Sequence, residues 1–310
     1  MGFYIIIIMV IIMKAICIGH AAYDITTPVE TFPKENTKNR VQSRIECGGG
    51  PAGTAAYLLG KWGVETYFAG IVGDDLYGNN IKKEYDAVGV NTDYMQISKE
   101  HTTTSSYIIA NRENGSRTIL TYRPSAMKMA PVDININPDI IVVDGQEPEI
   151  SEQVIKNNPN AISIIDAGRD RKEIRDLCKL VTYVACSKEF AESVSGVTIY
   201  ETDSLNFAFK KLEEEFNTTI VITLEAAGCA YRNSEGVVEI VPSIKVKAVD
   251  STGAGDIFHG AFAYAMAQGW DMAKSLRFAN IAGAMSVTRI GGRNSIFELD
   301  EMLEVYNEIK

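Results

Sequence analysis

Residues 249–266 decide the fold, and they read VDSTGAGDIFHGAFAYAM. From residue 257 onward the apolar residues recur at helical spacing, which predicts a buried helix that begins near Asp256 and ends by Gly269. The residues just before this helix carry almost no side-chain bulk: Gly253, Ala254 and Gly255. Bare backbone amides at a helix N-terminus bind anions, because free N–H groups converge there and the helix dipole adds positive potential.

Such an anion site suits a phosphoryl group, whose charge spreads over its oxygens during transfer. Asp256, beside it, can accept the proton of an attacking substrate hydroxyl. We expect the helix dipole to keep Asp256 ionised and therefore a weak base, which a loose transition state tolerates. The alternative is that Asp256 only caps the helix. The ordered set that also contains Asp250, Thr252 and the small pair Gly260-Ala261 favours the functional interpretation.

Outward from this stretch, short apolar runs alternate with helical patterns. A first buried strand is predicted within residues 13–19. Later strands are predicted over 66–72, 140–143, 162–165, 182–186 and 219–224, and helices over 52–62, 76–88, 150–157 and 272–288. This alternation predicts an α/β fold: a doubly wound, mostly parallel sheet with helices on both faces.

Two segments break the alternation. Residues 26–47 are polar and poor in helical pattern, and residues 102–122 predict a hairpin with strands 105–111 and 117–122. We expect segments of about 26–47 and 97–125 to form a small β-sheet lid within one domain over residues 13–310. Exposed strand edges on such a lid predict a homodimer.

Residues 1–12 form an apolar run without charge. The run is too short for a membrane span, and it has no clear basic region or cleavage site of a secretory signal. We interpret it as an extension, as a start codon assigned too early would produce; a weak membrane anchor is the alternative.

Composition narrows the function classes. The 310 residues are 46% hydrophobic and 23% charged, with a net charge of −10, which excludes collagen-like, disordered and multi-span membrane proteins. Because no basic stripe stands out, a nucleic-acid partner is not expected. The five cysteines contain no Cys-x-x-Cys pair, which favours reduced thiols in a cytoplasmic protein. The histidines, at 20, 101 and 259, have no ligand spacing for zinc, although His259 lies on a helix face similar to that of Asp256.

Residues 249–266 resemble the C-terminal signature of the ribokinase-like sugar kinases, the PfkB family, and the likeness covers nearly all of residues 13–310. In that family the Gly-Ala-Gly turn is the anion hole and the following Asp is the catalytic base. The resemblance therefore implies an ATP-dependent carbohydrate kinase in which these roles fall to Gly253, Ala254, Gly255 and Asp256. Mg²⁺ is expected with ATP, because it bridges the β- and γ-phosphate oxygens.

Two further positions resemble the family's sugar site. Asp24 matches its sugar-hydroxyl-binding Asp, although an Asx-turn at a strand end is the alternative. The run GGGPAG over residues 48–53 matches its di-glycine substrate loop, which implies substrate contacts at Gly49, Gly50 and Gly53. The family usually has Asn where this chain has Gly53, and ribokinases have Asn where it has Ala22. Because two amides are missing, we expect a fructose-like ketose rather than ribose, with nucleosides as alternative acceptors.

Other resemblances concern ATP and metals. Thr223 and Gly228 match the family's nucleotide loop, and Asn280 matches a position beside adenine, unless it makes an interhelical hydrogen bond. Ser187-Lys188 resembles a pair in ketohexokinase-like relatives. Most of the family has an Asn-x-x-Glu motif there, linked to magnesium and phosphate; this chain departs from it, which puts a Mg²⁺-linked role of Glu189 in doubt. Some relatives bind a monovalent cation such as K⁺ at positions that match Asp250, Thr252, Gly291 and Ser295.

Two rival functions remain open. Residues 48–53 satisfy the dinucleotide pattern Gly-x-Gly-x-x-Gly, and Asp74 lies at the distance expected of a ribose-binding carboxylate, as in an NAD-dependent oxidoreductase. Against this, the pattern does not follow the first strand, and Arg44 and Glu46 make the preceding segment a poor buried strand. The second rival is a sugar sensor without turnover, against which the intact Asp256 argues.

Overall fold

The computed structural model describes residues 13–309, so the interpretation of residues 1–12 lies outside the described part of the chain. Its strands are β1 Lys14–Ile18, β2 Ala22–Val29, β3 Ile45–Gly49, β4 Glu65–Gly73, β5 Asn91–Ser98, β6 Ser105–Asn111, β7 Arg117–Tyr122, β8 Ile140–Val143, β9 Ile162–Ala167, β10 Tyr183–Ser187, β11 Thr219–Thr223, β12 Cys229–Arg232 and β13 Val238–Val241. Its helices are α1 Pro51–Lys61, α2 Leu76–Ala87, α3 Pro148–Asn157, α4 Lys172–Cys178, α5 Lys188–Ser195, α6 Thr202–Phe216, α7 Ala254–Ala267, α8 Met272–Ser286 and α9 Leu299–Glu308.

Nine strands form one large sheet in the order β13-β12-β11-β10-β9-β8-β1-β4-β5. All neighbours from β5 to β11 pair in parallel, whereas β12 pairs antiparallel with both β11 and β13. Two hydrophobic clusters cover its two faces. One contains side chains of α1, α2, α7, α8 and α9, and the other contains side chains of α3 to α6. The predicted doubly wound α/β fold is confirmed.

Helix α7 is the central helix of the first face. Every residue from Ile257 to Met266 is buried, as expected of a helix that is apolar all round. It packs against α1 and α8, which are rich in small residues. The helix begins at Ala254, two residues before the predicted start, because Gly253 adopts a left-handed conformation and caps it.

The remaining strands form a separate four-stranded sheet in the order β3-β2-β6-β7. The hairpin β6–β7 has the predicted bounds. The segment around Arg44 and Glu46, which the sequence made a poor buried strand, contains the strand Ile45–Gly49. It pairs antiparallel with β2 in the small sheet, where Ile45 and Glu46 are only partly buried, so polar side chains are tolerated.

Two further features concern the whole described chain. Within residues 13–309, no helix combines the length and apolar character needed to cross a membrane. All five cysteines are buried as free thiols.

Candidate active site

The N-terminus of α7 opens to the surface. Gly253 has a φ of 74°, which glycine adopts without strain, and this turn directs the chain into the helix. Gly255 is exposed, and an ideal Cβ at this residue would meet no heavy atom within 4 Å. The turn is therefore open at Gly255, as an anion site requires, whereas the Ala254 N donates to the Ser251 carbonyl oxygen at 3.4 Å.

A hydrogen-bond network fixes this turn against residues 291–295. One carboxylate oxygen of the buried Asp250 accepts from the Thr252 backbone N and Oγ1 at 2.9 and 2.7 Å, and the other accepts from the Gly291 N at 2.8 Å. Ser295 N donates to the Gly291 carbonyl at 3.0 Å. The structure thus brings the four candidate cation-site residues together, with both Asp250 oxygens accepting protein hydrogen bonds.

The expectation that the helix dipole keeps Asp256 fully ionised was wrong. Burial raises the pKa of Asp256 to about 7, and the nearby Asp166 carboxylate raises it further, whereas His259 and Arg117 oppose the rise. The residue is nevertheless partly exposed to solvent. A carboxylate with a pKa near the operating pH is a better general base than the sequence suggested.

His259 and Asp166 form a contact behind Asp256. The ring Nδ1 of His259 lies 3.1 Å from Asp166 Oδ2, so the histidine on a helix face similar to that of Asp256 pairs with another carboxylate. Asp166 follows the predicted strand 162–165 directly, and carboxyl ends of parallel strands are where ligands bind in such folds. That position was the signal that could have identified it.

Asp24 lies inside β2 rather than in an Asx-turn at a strand end. Its carboxylate lies directly over Gly49, so that a Cβ at residue 49 would overlap it. Burial raises the pKa of Asp24 to about 6, against the opposing effects of a hydrogen bond from Ser106 and the charge of Arg293. Asp24 is also close enough to Asp256 to raise the pKa of that group.

Arg293, which the sequence did not single out, lies against the glycine run 48–53. It is 2% exposed, and it donates to Glu84 Oε2 at 3.0 Å and to the Tyr85 hydroxyl at 2.9 Å. Glu84 in turn accepts from the Gly48 N at 2.9 Å. Gly50 has a φ of 85°, and a Cβ there would overlap the His20 carbonyl. The loop therefore requires small residues and is held by a buried charge.

The four candidate nucleotide residues form two pairs. Ser187 and Thr223 are register partners at the ends of β10 and β11. Asn280 Nδ2 donates to the Val241 carbonyl at 2.8 Å, which is a bond to a strand and not the interhelical bond considered above. Gly228, with a φ of 104°, packs so closely against the same carbonyl that a Cβ would overlap it. Ser187 also caps α5, because its Oγ accepts from Phe190 N at 3.0 Å.

Several candidate polar residues occupy ordinary surface positions. Glu189 is exposed in the first turn of α5, and Lys188 lies 3.8 Å from Glu192. Asp74 is exposed, and the glycine run 48–53 follows an antiparallel strand of the small sheet, which disfavours a dinucleotide site. Within the described residues, no group of three or more His, Cys, Asp or Glu side chains is arranged to hold a metal ion.

The small sheet reaches the anion site. Arg117, at the start of β7, donates from Nη1 to the Ser251 hydroxyl at 2.8 Å, close to the Gly253 turn. This bond links the small sheet to the turn that precedes Asp256.

Comparisons with known proteins agree with this arrangement. Residues 13–298 match the family described as pfkB family carbohydrate kinase. A ribokinase of Bacillus subtilis is 27% identical over 94% of this chain and 99% of its own length. A nucleoside kinase of Methanocaldococcus jannaschii is 24% identical over 94% of this chain and 96% of its own length.

A solved structure supports the fold. Arabidopsis thaliana ribokinase complexed with ribose and ATP aligns with a TM-score of 0.80 and 23% identity, over 95% of this chain and 98% of that one. The family match, the anion turn and the two-sheet architecture lead to one assignment: the chain belongs to the PfkB family of carbohydrate kinases and has the ribokinase-like fold.

Proposed function

We propose that this carbohydrate kinase transfers the γ-phosphoryl group of ATP to a hydroxymethyl group of a sugar. The observation that carries the proposal is the open turn of Gly253, Ala254 and Gly255 directly before Asp256 at the start of a buried helix. Amides of this turn would stabilise the charge of the migrating phosphoryl group, and Asp256 would accept the proton of the attacking hydroxyl.

Asp24 and the glycine loop would hold the acceptor. With a pKa of about 6, Asp24 is mostly ionised near neutral pH, so it can accept hydrogen bonds from sugar hydroxyls. Gly49 and Gly50 would let the sugar lie against bare backbone, since a side chain at either residue would overlap its neighbours. Gly53 offers no side chain to the acceptor.

A fructose-like ketose is the acceptor that the sequence favours, because Ala22 and Gly53 lack the amides expected for ribose. Several relatives are named ribokinase, and others are named deoxyribokinase or nucleoside kinase. Ribose, deoxyribose and nucleosides are therefore the alternatives that any assay must include.

ATP would lie between the carboxyl ends of β10 and β11 and helix α8, where Ser187, Thr223, Gly228 and Asn280 are placed. Mg²⁺ keeps several waters and is commonly held by substrate phosphates, which agrees with the lack of a three-ligand cluster in residues 13–309. The bound ion would neutralise phosphate charge.

K⁺ would bind near the Asp250 network. Rates measured in potassium chloride and in sodium chloride at equal ionic strength test this.

The decisive experiment measures ATP consumption by the purified protein with a panel of ketoses, aldoses, deoxysugars and nucleosides. Faster turnover with fructose than with ribose supports the ketose assignment. If ribose, deoxyribose or a nucleoside is turned over faster than fructose, that compound replaces fructose as the proposed acceptor. ATP hydrolysis without any phosphorylated acceptor, or no ATP binding at all, would overturn the proposal.

We also propose that the small sheet mediates a homodimer. Strand β7 is an edge strand, and all six of its residues are exposed. Its apolar side chains Ile119 and Leu120 are 43% and 62% exposed, and unpaired strand edges with apolar residues favour pairing with another strand. Sedimentation of the protein and of the Leu120→Glu variant tests this: a dimer that the variant dissociates supports it, and a monomeric wild-type protein contradicts it.

A further inference from the structure

We propose that His259 is a buried cation paired with Asp166, and that its charge opposes the protonation of Asp256 and adds positive potential behind the anion turn. Both residues would be positioning residues, acting on the reaction through Asp256. The inference rests on the proposed role of Asp256 as the general base, and the experiment below is designed so that the two can fail separately.

The His259 side chain is buried, and both of its ring nitrogens contact protein oxygens. The side chain lies one helical turn after Gly255 on α7, and the residue is 4% exposed. Its Nδ1 is 2.6 Å from the Gly255 carbonyl oxygen and 3.1 Å from Asp166 Oδ2. Its Nε2 is 3.1 Å from the carbonyl oxygen of Ala185 in β10.

These partners define the protonation state of the ring. A carbonyl oxygen can only accept a hydrogen bond, so both ring nitrogens face acceptors and both must donate. A ring with two N–H groups is an imidazolium, and Asp166 is its counter-ion. Placing the proton on Asp166 instead would leave one ring nitrogen with its lone pair facing a carbonyl oxygen, at 2.6 Å for Nδ1 or at 3.1 Å for Nε2, which is repulsive.

The charge of His259 affects the protonation of two nearby carboxylates, Asp166 and Asp256. Burial raises the pKa of Asp166, and the charge of His259 opposes that rise. The charged groups that act on Asp256 are Asp166 and Asp24, which favour its protonation, and His259 and Arg117, which oppose it. Without the imidazolium, Asp166 and Asp256 would compete for one proton, as two close carboxylates do.

The position of the charged His259 ring also matters for the anion turn. Residues three and four apart on a helix lie on the same face, so His259 lies close behind both Asp256 and the carbonyl of Gly255. From there, its charge adds to the helix dipole at the place where the phosphoryl group gains negative charge. A neutral side chain of similar size would preserve packing and lose this effect.

The experiment compares pH profiles of kcat/KM for the wild type and for the variants His259→Gln and His259→Gln/Asp166→Asn. Asp256 must be ionised to act as a base, so the rate falls on the acidic side as pH drops through its pKa. We expect the single variant to shift this acidic limb upward by about one pH unit, because a bare carboxylate remains beside Asp256. The double variant should shift it back, because it removes both charges.

If His259 served only in packing, the substitution Asp166→Asn would not restore the acidic limb that His259→Gln had shifted. An acidic limb that does not move in His259→Gln, or that does not return in the double variant, overturns the inference. His101→Gln is the matched control and should leave the limb unchanged.

A second measurement uses the wild-type protein and does not depend on its activity. The chain has three histidines, so ¹⁵N labelling of their rings gives few signals in an NMR spectrum. We expect both nitrogens of His259 to be protonated at pH 7, and a neutral ring overturns the inference. If Asp256→Asn retains wild-type turnover, the proposed role of Asp256 as general base fails instead, whatever the state of His259.

Discussion

The guanidinium of Arg293 occupies the space that a side chain at Gly53 would need. An ideal Cβ at residue 53 would lie 2.8 Å from Arg293 Nη2 and 2.9 Å from the Tyr85 hydroxyl. The lack of a side chain at residue 53 and the presence of a buried arginine are therefore one structural feature. Arg293 lies against the glycine run 48–53 and supports it with a buried charge.

We expect Arg293→Met to destabilise the fold by about 3 kcal/mol, because it leaves Glu84 beside the loop without its cation. The double variant Arg293→Met/Glu84→Gln should recover part of this loss. Urea unfolding measures both. Arg289→Met is the control: Arg289 lies 3.8 Å from Glu301 on the surface, and such pairs contribute about 1 kcal/mol or less. Equal losses in Arg293→Met and Arg289→Met would contradict the assigned support role.

A second prediction concerns the open turn. Because a Cβ at Gly255 meets no atom within 4 Å, Gly255→Leu should fold with wild-type or higher thermal stability. Its side chain would project into the space in front of the amides, so kcat should fall by about a hundredfold, with a smaller loss for Gly255→Ala. Steady-state kinetics and a thermal melt test this, and a Gly255→Leu enzyme with wild-type kcat would exclude the turn as the anion hole.

A third prediction concerns the base. Asp256→Asn should lower kcat by about a thousandfold, because the amide cannot accept the hydroxyl proton. ATP binding, measured by calorimetry, should change little. Asp74→Asn is the control, since Asp74 is the exposed carboxylate that a dinucleotide site would need. Retained turnover in Asp256→Asn would remove Asp256 from the mechanism, and lost turnover in Asp74→Asn would revive the dinucleotide alternative.

The fold and the anion turn could be predicted because their signals are local in sequence. Helical spacing after Asp256 defines α7, and the hairpin bounds follow from one turn between two β-rich runs. The antiparallel strands β12 and β13 carried no such signal, since neither is a continuous run of branched apolar residues like β8, a strand of the same length.

The electrostatics of the site could not be predicted, because they depend on contacts between distant residues. Arg293 and Glu84 are 209 positions apart, and no local pattern relates them. For Asp256, the helix dipole was the only effect visible in sequence. Burial and the charge of Asp166, which the fold brings in from β9, outweigh it.

The raised pKa of Asp256 predicts how stability depends on pH. The pKa of this carboxyl is about 7 in the folded protein against 3.8 in an unperturbed chain, so the folded state binds its proton more tightly. Between these two values the folded state holds more protons than the unfolded state. The free energy of unfolding therefore falls as pH rises through this range.

The Asp256→Asn variant lacks this penalty. At pH 4 its stability should match that of the wild type, and by pH 8 it should be more stable by about 1 to 3 kcal/mol. Urea unfolding at several pH values measures the difference, with Asp74→Asn as the exposed control. If the difference in the free energy of unfolding between the variant and the wild type stays constant with pH, the burial of an ionised Asp256 is contradicted. If the difference grows with pH, the folded enzyme gives up stability to hold its base in the form that accepts a proton.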